Sequence, residues 1–237
     1  MDTLKFLFLM FLIPNIKTNE ESEEPILYYY GLEESERSLP SCAAQQACSA
    51  LLQRYWRRAA LVRLCRCGRR LRCDERAPTE RRIELNNRAH LQFCRPVTGW
   101  RECDVNEVPL TVDTTSERMN PDELEELHHQ NIQLTPPNIT LACRCRYPNY
   151  WKLNTTDNDV TKYQCTSLPL CKSGDFCGNV VEGHLSLYQS CLCPKKHICV
   201  HNGGVPHLQV SELLYRGTGW RAHCQPVSND YNYDDYY

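Results

Sequence analysis

The chain has 237 residues and a net charge of only −2, and 16 of its residues are cysteine, whereas only five are Phe and three are Met. This composition excludes a conventional domain stabilised by a large apolar core and is typical of extracellular folds held by disulfide bonds. The even cysteine count permits eight bridges with no free thiol. We therefore predict a small disulfide-rich, mainly β fold.

The first residues predict export of the chain. Residues 4–13 form an apolar run followed by Pro14, which is too short to span a bilayer and is typical of a signal peptide. We expect a signal peptide at residues 1–18 and a disordered acidic lead or propeptide at residues 19–41. No later apolar run approaches the ~20 residues that a transmembrane helix requires. The predicted protein is secreted and extracellular, without a transmembrane segment.

Two stretches of the chain carry nearly the same cysteine frame, which predicts one disulfide module used twice. We expect module one at residues 42–103 and module two at residues 171–224, with a linker and a smaller central module at residues 104–170. Both modules also contain a His-Leu-Gln and a Thr-Gly-Trp-Arg sequence. The two frames are Cys42-x5-Cys48-x16-Cys65-x-Cys67-x5-Cys73 and Cys171-x5-Cys177-x13-Cys191-x-Cys193-x5-Cys199.

The sixth cysteine of module one can be assigned in two ways. Because the two short shared sequences precede Cys103 and Cys224, we favour the correspondence between these two cysteines. The alternative aligns Cys94-Arg95-Pro96-Val97 with Cys224-Gln225-Pro226-Val227 and assigns Cys103 to the centre. Under the favoured correspondence, the cysteines left for the central module are Cys94, Cys143, Cys145 and Cys165.

Each C-x-C pair is predicted to end a β-strand. Positions i and i+2 of a strand point to the same face, so the two thiols should bond to different partners rather than to each other. Residues 178–190 of module two contain apolar pairs on either side of Gly183, which predicts a hairpin. The corresponding residues 43–64 have helical propensity taken alone, but equivalent segments should share structure. We therefore favour strands there, with a short helix as the alternative.

The linker contains a predicted helix and signs of a third module. Asn120 is placed to cap the helix, Pro121 suits its first turn, and Glu123 completes a capping box. The C-x-C signature then occurs a third time at Cys143 and is followed by Cys165. This pattern indicates a shortened third copy.

Basic residues are concentrated in module one. Residues 54–101 contain fourteen Arg and four acidic residues. In a secreted chain, such a block favours an acidic or polyanionic extracellular partner over nucleic acid. The alternative, to which we give equal weight, is pairing with the acidic residues 104–126 of the linker. The predicted partner-binding arginines are Arg57, Arg58, Arg69 and Arg70.

Two kinds of covalent modification are suggested by the sequence. Asn138 and Asn154 begin N-glycosylation sequons. The acidic, tyrosine-rich residues 225–237 are predicted to form a disordered tail whose context permits tyrosine sulfation.

No motif for catalysis is found, and we predict no enzyme activity, no cofactor and no bound metal. The sequence lacks a Gly-x-Ser-x-Gly elbow, a His-Glu-x-x-His helix and a phosphate-binding loop. The rival use of the cysteines is zinc binding, but structural zinc sites use C-x2-C pairs rather than C-x-C pairs. The strongest zinc candidate would be the set Cys193, His197, Cys199 and His201.

The run from Cys177 to Pro194 carries a C-G-x-V sequence, then Tyr188 and C-x-C-P. This run resembles a signature of a secreted cysteine-rich family of arthropods that includes the centipede venom scoloptoxins of family eleven. In module one the pattern departs at Ser49 and Gly68, where module two has Gly and Pro. The cysteine layout is more distantly similar to Argos, an insect growth-factor antagonist built from repeated disulfide modules.

The scoloptoxin resemblance implies a venom toxin that modulates an ion channel, specifically a potassium channel, by surface binding. Lys152 beside Trp151 and Lys162 beside Tyr163 are the basic–aromatic pairs that would suit such contact. The alternatives are a secreted antagonist that sequesters a growth factor, and a non-toxic extracellular structural protein. The sequence leaves the oligomeric state open.

Overall fold

The computed structural model describes residues 24–30, 35–74, 78–85, 88–114, 121–130, 134–183, 187–206 and 208–227. The predicted signal peptide and tail residues 228–237 lie outside the described residues. The predicted disorder of the tail is wrong at its start, because Gln225 and Pro226 lie in the last strand and pair with a neighbouring one. As predicted, the fold is mainly β and rich in disulfides. Its strands form three sheets, which we call the first, central and last sheet. None of the helices in the described ranges is long and apolar enough to cross a membrane.

The first sheet has the strand order β1-β3-β2-β5-β4. Strand β1 pairs with β3 in parallel, and the other neighbours are antiparallel. Residues 19–41 were expected to be a disordered lead, but β1 belongs to this sheet, and Tyr30 and Leu39 are buried. The prediction of disorder is therefore wrong for residues 24–30 and 35–41, because apolar side chains there complete the core. Residues 19–23 and 31–34 lie outside the described residues. The strands are β1 Ile26–Tyr29, β2 Ala47–Leu52, β3 Ala60–Arg63, β4 Arg82–Glu84 and β5 His90–Phe93.

The central sheet is antiparallel and has the order β7-β6-β9-β8. Strands β8 and β9 form a long hairpin that turns at Asn158, whose φ is +47°. Positive φ is tolerated by Asn better than by most residues, which suits this position. The strands are β6 Glu107–Asp113, β7 Asn138–Leu141, β8 Asn149–Asp157 and β9 Val160–Ser167.

The last sheet has the order β11-β10-β14-β12, with β13 also paired to the long strand β14. The predicted hairpin is confirmed: β10 and β11 are antiparallel, and Gly183 has a φ of +73° in the connection. Residues 43–64 form β2 and β3 rather than a helix, as we favoured. The strands are β10 Phe176–Val181, β11 Leu187–Gln189, β12 His197–Val200, β13 Leu208–Glu212 and β14 Tyr215–Pro226.

The predicted linker helix is confirmed as α1, Pro121–His129. Leu124 is buried on the face that packs near β1. The capping residue Asn120 lies outside the described residues. Two single-turn 3-10 helices, Glu36–Ser38 and Thr79–Arg81, complete the described helical structure.

The chain forms eight disulfides and leaves no cysteine free, as the cysteine count predicts. None of them joins the two cysteines of a C-x-C pair, as predicted. The expectation that each pair ends a strand is wrong, because β3, β7 and β11 each end two residues before the pair. The bridges are Cys42–Cys65, Cys48–Cys73, Cys67–Cys94, Cys103–Cys143, Cys145–Cys165, Cys171–Cys191, Cys177–Cys199 and Cys193–Cys224.

The favoured correspondence between Cys103 and Cys224 is wrong. Cys67–Cys94 is the counterpart of Cys193–Cys224, and Cys103 is bridged to the central sheet. The shared Thr-Gly-Trp-Arg sequence misled the alignment because its two copies differ in structure. Trp100 lies in a turn after β5, where its amide donates to the Val97 carbonyl at 3.0 Å, whereas the second copy lies within β14.

A shared turn shows that the central sheet is a third copy of the module. After the first cysteine of each copy, a backbone amide donates to a side-chain oxygen three residues later. The three bonds are Ala43 to Gln46 Oε1 at 2.7 Å, Asp104 to Glu107 Oε2 at 3.0 Å and Lys172 to Asp175 Oδ2 at 2.8 Å. The residue before each acceptor has a positive φ: 61° at Gln45, 67° at Asn106 and 81° at Gly174.

The central copy has replaced one bridge by apolar packing. The sixth residue after Cys42, Cys103 and Cys171 is Cys48, Pro109 and Cys177, respectively. The sixth residue after the C-x-C pairs that end at Cys67, Cys145 and Cys193 is Cys73, Trp151 and Cys199. Thus a buried proline and a tryptophan that is only 5% exposed stand where the other two copies have a disulfide.

A basic, aromatic loop as the candidate binding site

The Trp56 loop, residues 53–59, connects β2 to β3 and carries the most exposed aromatic ring described in the structure. Trp56 is 101% exposed and Tyr55 is 43% exposed. Arg57 and Arg58, two predicted partner-binding residues, follow directly and are also exposed. The φ of Trp56 is +56°, a conformation that is rare for a bulky residue and points to a loop shaped by its surroundings.

Hydrogen bonds from buried Arg54 fix the shape of this loop. Arg54 is 6% exposed; its Nε donates to the Arg58 carbonyl at 2.8 Å and its Nη1 to the Tyr28 hydroxyl at 3.1 Å. The guanidinium also lies over the Tyr28 ring, 5.5 Å from its centroid, in a cation–π contact. Farther along, the Tyr55 amide donates to the Gly183 carbonyl at 3.1 Å, which ties the loop to the last sheet.

Two open clefts lie beside the loop. One, of about 630 Å³, lies between the loop, β1 and α1. Another, of about 490 Å³, extends from the loop to the hairpin and long strands of the last sheet. The acidic side chains of Glu125, Glu123 and Glu182 contribute to these walls. The structure therefore brings acidic linker residues next to part of the arginine block, as the alternative reading of that block expected.

The arginine block does not form one continuous cationic face. Arg63 is buried: its Nη1 donates to the Cys73 carbonyl, and its Nε lies 3.6 Å from Glu36 Oε1. Arg63 and the buried Arg54, although part of the basic block at residues 54–101, therefore do not contribute to a cationic surface. Arg69 and Arg70 are exposed, but they follow β3 while the Trp56 loop precedes it. The four predicted arginines thus lie in two separate pairs.

The two basic–aromatic pairs of the central sheet do not present their rings to a partner. Lys152 and Lys162 are exposed, but the neighbouring Trp151 and Tyr163 are buried. Successive side chains of a strand point to opposite faces, so each lysine turns outward as its ring turns into the core. Both lysines are solvated residues beside packed rings.

The two sequons lie on the edge strands of the central sheet. Asn138 begins β7, Asn154 lies in β8, and both side chains are exposed. Their accessibility is compatible with glycosylation, which stays a prediction.

The residues proposed for zinc are engaged elsewhere. Cys193 and Cys199 are disulfide-bonded, so neither offers a thiolate ligand. In the described part of the chain, every cluster with metal-ligand geometry includes a bridged cysteine. His197 contacts Ser173 Oγ at 2.9 Å and the Lys195 carbonyl at 3.0 Å. The zinc alternative therefore has no ligand set among these residues.

Comparison with known proteins gives one structural likeness. No family model matches the chain, and no curated protein matches its sequence. The solved crystal structure of unliganded Argos matches with a TM-score of 0.50 and 18% identity, over 86% of this chain and 100% of that chain. At this identity the likeness concerns the fold alone. It agrees with the Argos-like layout of the cysteines, whereas the scoloptoxin resemblance finds no support among these matches.

Sequence reasoning found the two arginines of the Trp56 loop but missed its aromatic residues. The signal was present, because Tyr55 and Trp56 interrupt an otherwise basic run between two apolar strands. A large aromatic residue in a turn of a disulfide-rich chain is either packed against a neighbouring element or displayed. Only the structure decides between these outcomes, and here it displays Trp56.

Proposed function

We propose that this protein is a secreted binding protein that sequesters an extracellular growth factor and so acts as an antagonist. The observation that carries the proposal is the fold likeness to Argos, which spans most of this chain and all of that one. Argos is an insect growth-factor antagonist, and the fold likeness supports the same kind of activity for this chain. The proposal therefore replaces the potassium-channel toxin as our leading function.

The architecture suits recognition by surface contact. Eight disulfides hold three small sheets, which keeps the connecting loops in fixed positions. A rigid scaffold lowers the entropy that is lost when a loop binds its partner. Such a disulfide content is maintained in oxidising compartments, which supports an extracellular location.

Direct binding and receptor signalling test the proposal together. The purified oxidised protein is injected over immobilised arthropod growth factors in surface plasmon resonance. It is also added to cells that respond to each factor. We expect one factor to bind and its receptor phosphorylation to fall as the protein is titrated, with full signalling restored by excess factor.

The rival function is tested on the same preparation. Currents through voltage-gated potassium channels are recorded with and without the protein. Channel block without binding to any growth factor would reject the antagonist proposal in favour of the toxin. Absence of both effects would reject antagonism and favour the extracellular structural protein.

A further inference from the structure

We propose that the Trp56 loop is the anchor by which this protein docks on its partner, and that the partner face is an apolar pocket rimmed by carboxylates. Trp56 enters the pocket while Arg57 and Arg58 pair with its rim. This inference rests on the proposed function, because it assigns the surface through which a sequestered protein is held.

The composition of the loop is that of a binding hot spot. Residues 55–58 read Tyr-Trp-Arg-Arg, and these three residue types are the ones most enriched among energetically dominant interface residues. A fully exposed indole buries nothing in the free protein, so its whole apolar surface is available to be removed from water by a partner. Arg57 and Arg58 directly follow Trp56 and are exposed, so they add two positive charges beside the indole, which favours an acidic rim.

The loop is organised before binding. The buried Arg54 side chain donates to the Arg58 carbonyl, and the Tyr55 amide donates to the Gly183 carbonyl. At the end of the loop, the Ala59 carbonyl accepts from the Ile26 amide at 2.8 Å. Two of these bonds join the loop to Gly183 and to β1, so a partner meets a loop whose backbone course is already set. A pre-organised anchor loses less conformational entropy on binding than a mobile one.

Among the described residues, the acidic side chains near the loop do not cover the anchor. Glu123, Glu125 and Glu182 line the clefts at the sides of the loop, yet Trp56 between those clefts keeps its full exposure. Ion pairing with these glutamates can therefore position the arginine side chains while the Trp56 indole stays exposed. We therefore commit to an external protein as the occupant, and the acidic residues 19–23 or a second copy of the chain become outcomes of the test.

Substitutions in the loop test the anchor with the growth factor that binds the wild-type protein. We expect Trp56→Ala to weaken the affinity at least about 30-fold, the size of a hot-spot loss. Arg57→Glu with Arg58→Glu should slow association and reduce its salt dependence. The melting temperature of Trp56→Ala should equal that of the wild type, because an exposed ring contributes little to folding.

Two matched controls separate the anchor from general effects. Lys195→Glu with Lys196→Glu reverses an adjacent exposed pair on the last sheet, and Leu170→Ala removes another exposed apolar side chain. Both should bind as the wild type does. Equal affinity of Trp56→Ala and wild type for the growth factor would overturn the anchor while leaving the antagonist function intact.

A second probe keeps the anchor testable if no growth factor binds. Phage-displayed random peptides are selected on the wild-type protein and counter-selected on Trp56→Ala. We expect the retained peptides to combine carboxylates with an aromatic or aliphatic residue, which would uphold the anchor even after failure of the proposed function. Peptides without acidic residues, or none that discriminate the two proteins, would overturn it.

Two further measurements examine the other occupants. Sedimentation that shows a dimer for the wild type and a monomer for Trp56→Ala would assign the loop to self-association and overturn the external partner. Peptide binding that appears only after deletion of residues 19–23 would identify that acidic segment as the resident occupant, again against the proposal.

Discussion

At the scale of single residues, the turn after the first cysteine of the central copy depends on one carboxylate. Glu107 accepts from the Asp104 amide at 3.0 Å and from the guanidinium of Arg101, with Nη1 at 2.8 Å. The hydrogen bonds from Arg101, followed by the one from the Asp104 amide, hold the pKa of the Glu107 carboxyl below its ordinary value of 4.5. The same contact raises the pKa of Arg101.

This lowered pKa predicts a pH-dependent contribution to stability. A carboxyl whose folded pKa is depressed stabilises the fold above its unfolded pKa, and the contribution is lost as the pH falls below 4.5 through the folded pKa. We expect Glu107→Gln to lower the melting temperature at neutral pH and the difference from wild type to shrink in acid. Asp157→Asn, an exposed carboxylate at the end of β8, serves as the control and should leave the pH profile unchanged.

Gly178 shows why glycine follows Cys177 in the last sheet. A Cβ at this position would lie 2.5 Å from the Tyr188 carbonyl oxygen of the neighbouring strand. We expect Gly178→Ala to cost roughly 1–3 kcal/mol in the free energy of unfolding, because the backbone must shift to accept the methyl group. The measurement is denaturant unfolding with the disulfides intact.

The matched control for this change is Gly68→Ala, where an added Cβ meets nothing within 4 Å. Similar losses for both variants would show that flexibility of glycine, not the close approach, decides the stability. In the first sheet, Ser49 stands at the position that corresponds to Gly178. Its side chain is buried, and its hydroxyl donates to Gln92 Oε1 at 2.5 Å.

At the scale of elements, the central sheet shows that a packed indole can take the place of a disulfide. Trp151 on β8 is buried, and we expect Trp151→Ala to lower the free energy of unfolding by roughly 3–5 kcal/mol, as large core truncations do. Hydrogen exchange should show the loss in the central sheet before the other two. The control is Tyr147→Ala, whose side chain is 84% exposed just before the same strand. Uniform loss of protection across all three sheets would contradict a local role.

The elements themselves were largely predictable because their signals are local. Pro121 and Glu123 predicted the start of α1, and Gly183 predicted the break of the β10–β11 hairpin. The repeat predicted strands at residues 43–64 against their helical propensity, since an equivalent segment must fit the same bridges. The parallel pairing of β1 was missed because a four-residue strand beside an acidic tract carries no periodic pattern of its own.

At the scale of the whole molecule, the chain is one disulfide module used three times. The cysteine count and spacing predicted the eight bridges, the outward bonding of each C-x-C pair and a third copy. The expectation that this copy is shortened is wrong, because it runs from Cys103 to Cys165 and is longer than the other two, although it has one bridge fewer. The partners of Cys94 and Cys103 were predicted wrongly, because the shared His-Leu-Gln and Thr-Gly-Trp-Arg sequences favoured the wrong alignment of the two modules. The signal that would have corrected it was the match of Cys94-Arg95-Pro96-Val97 with Cys224-Gln225-Pro226-Val227.

The binding surface could be predicted only in part, because a sequence shows charge but not burial. Charge density is visible in a sequence, so Arg57 and Arg58 were found. Burial is a property of the folded chain, so the sequence could not separate Arg54 and Arg63 from the exposed arginines or show that Trp56 is displayed.

The three-copy plan is tested most directly by a disulfide map of the non-reduced protein, obtained by proteolysis and mass spectrometry. We predict cross-linked peptides that contain Cys67 with Cys94 and Cys103 with Cys143, together with the equivalent pair Cys193 with Cys224. A peptide in which Cys103 is bridged to Cys67 or Cys73 would contradict the plan, because the central sheet would then lose the bridge that makes it a copy of the other two.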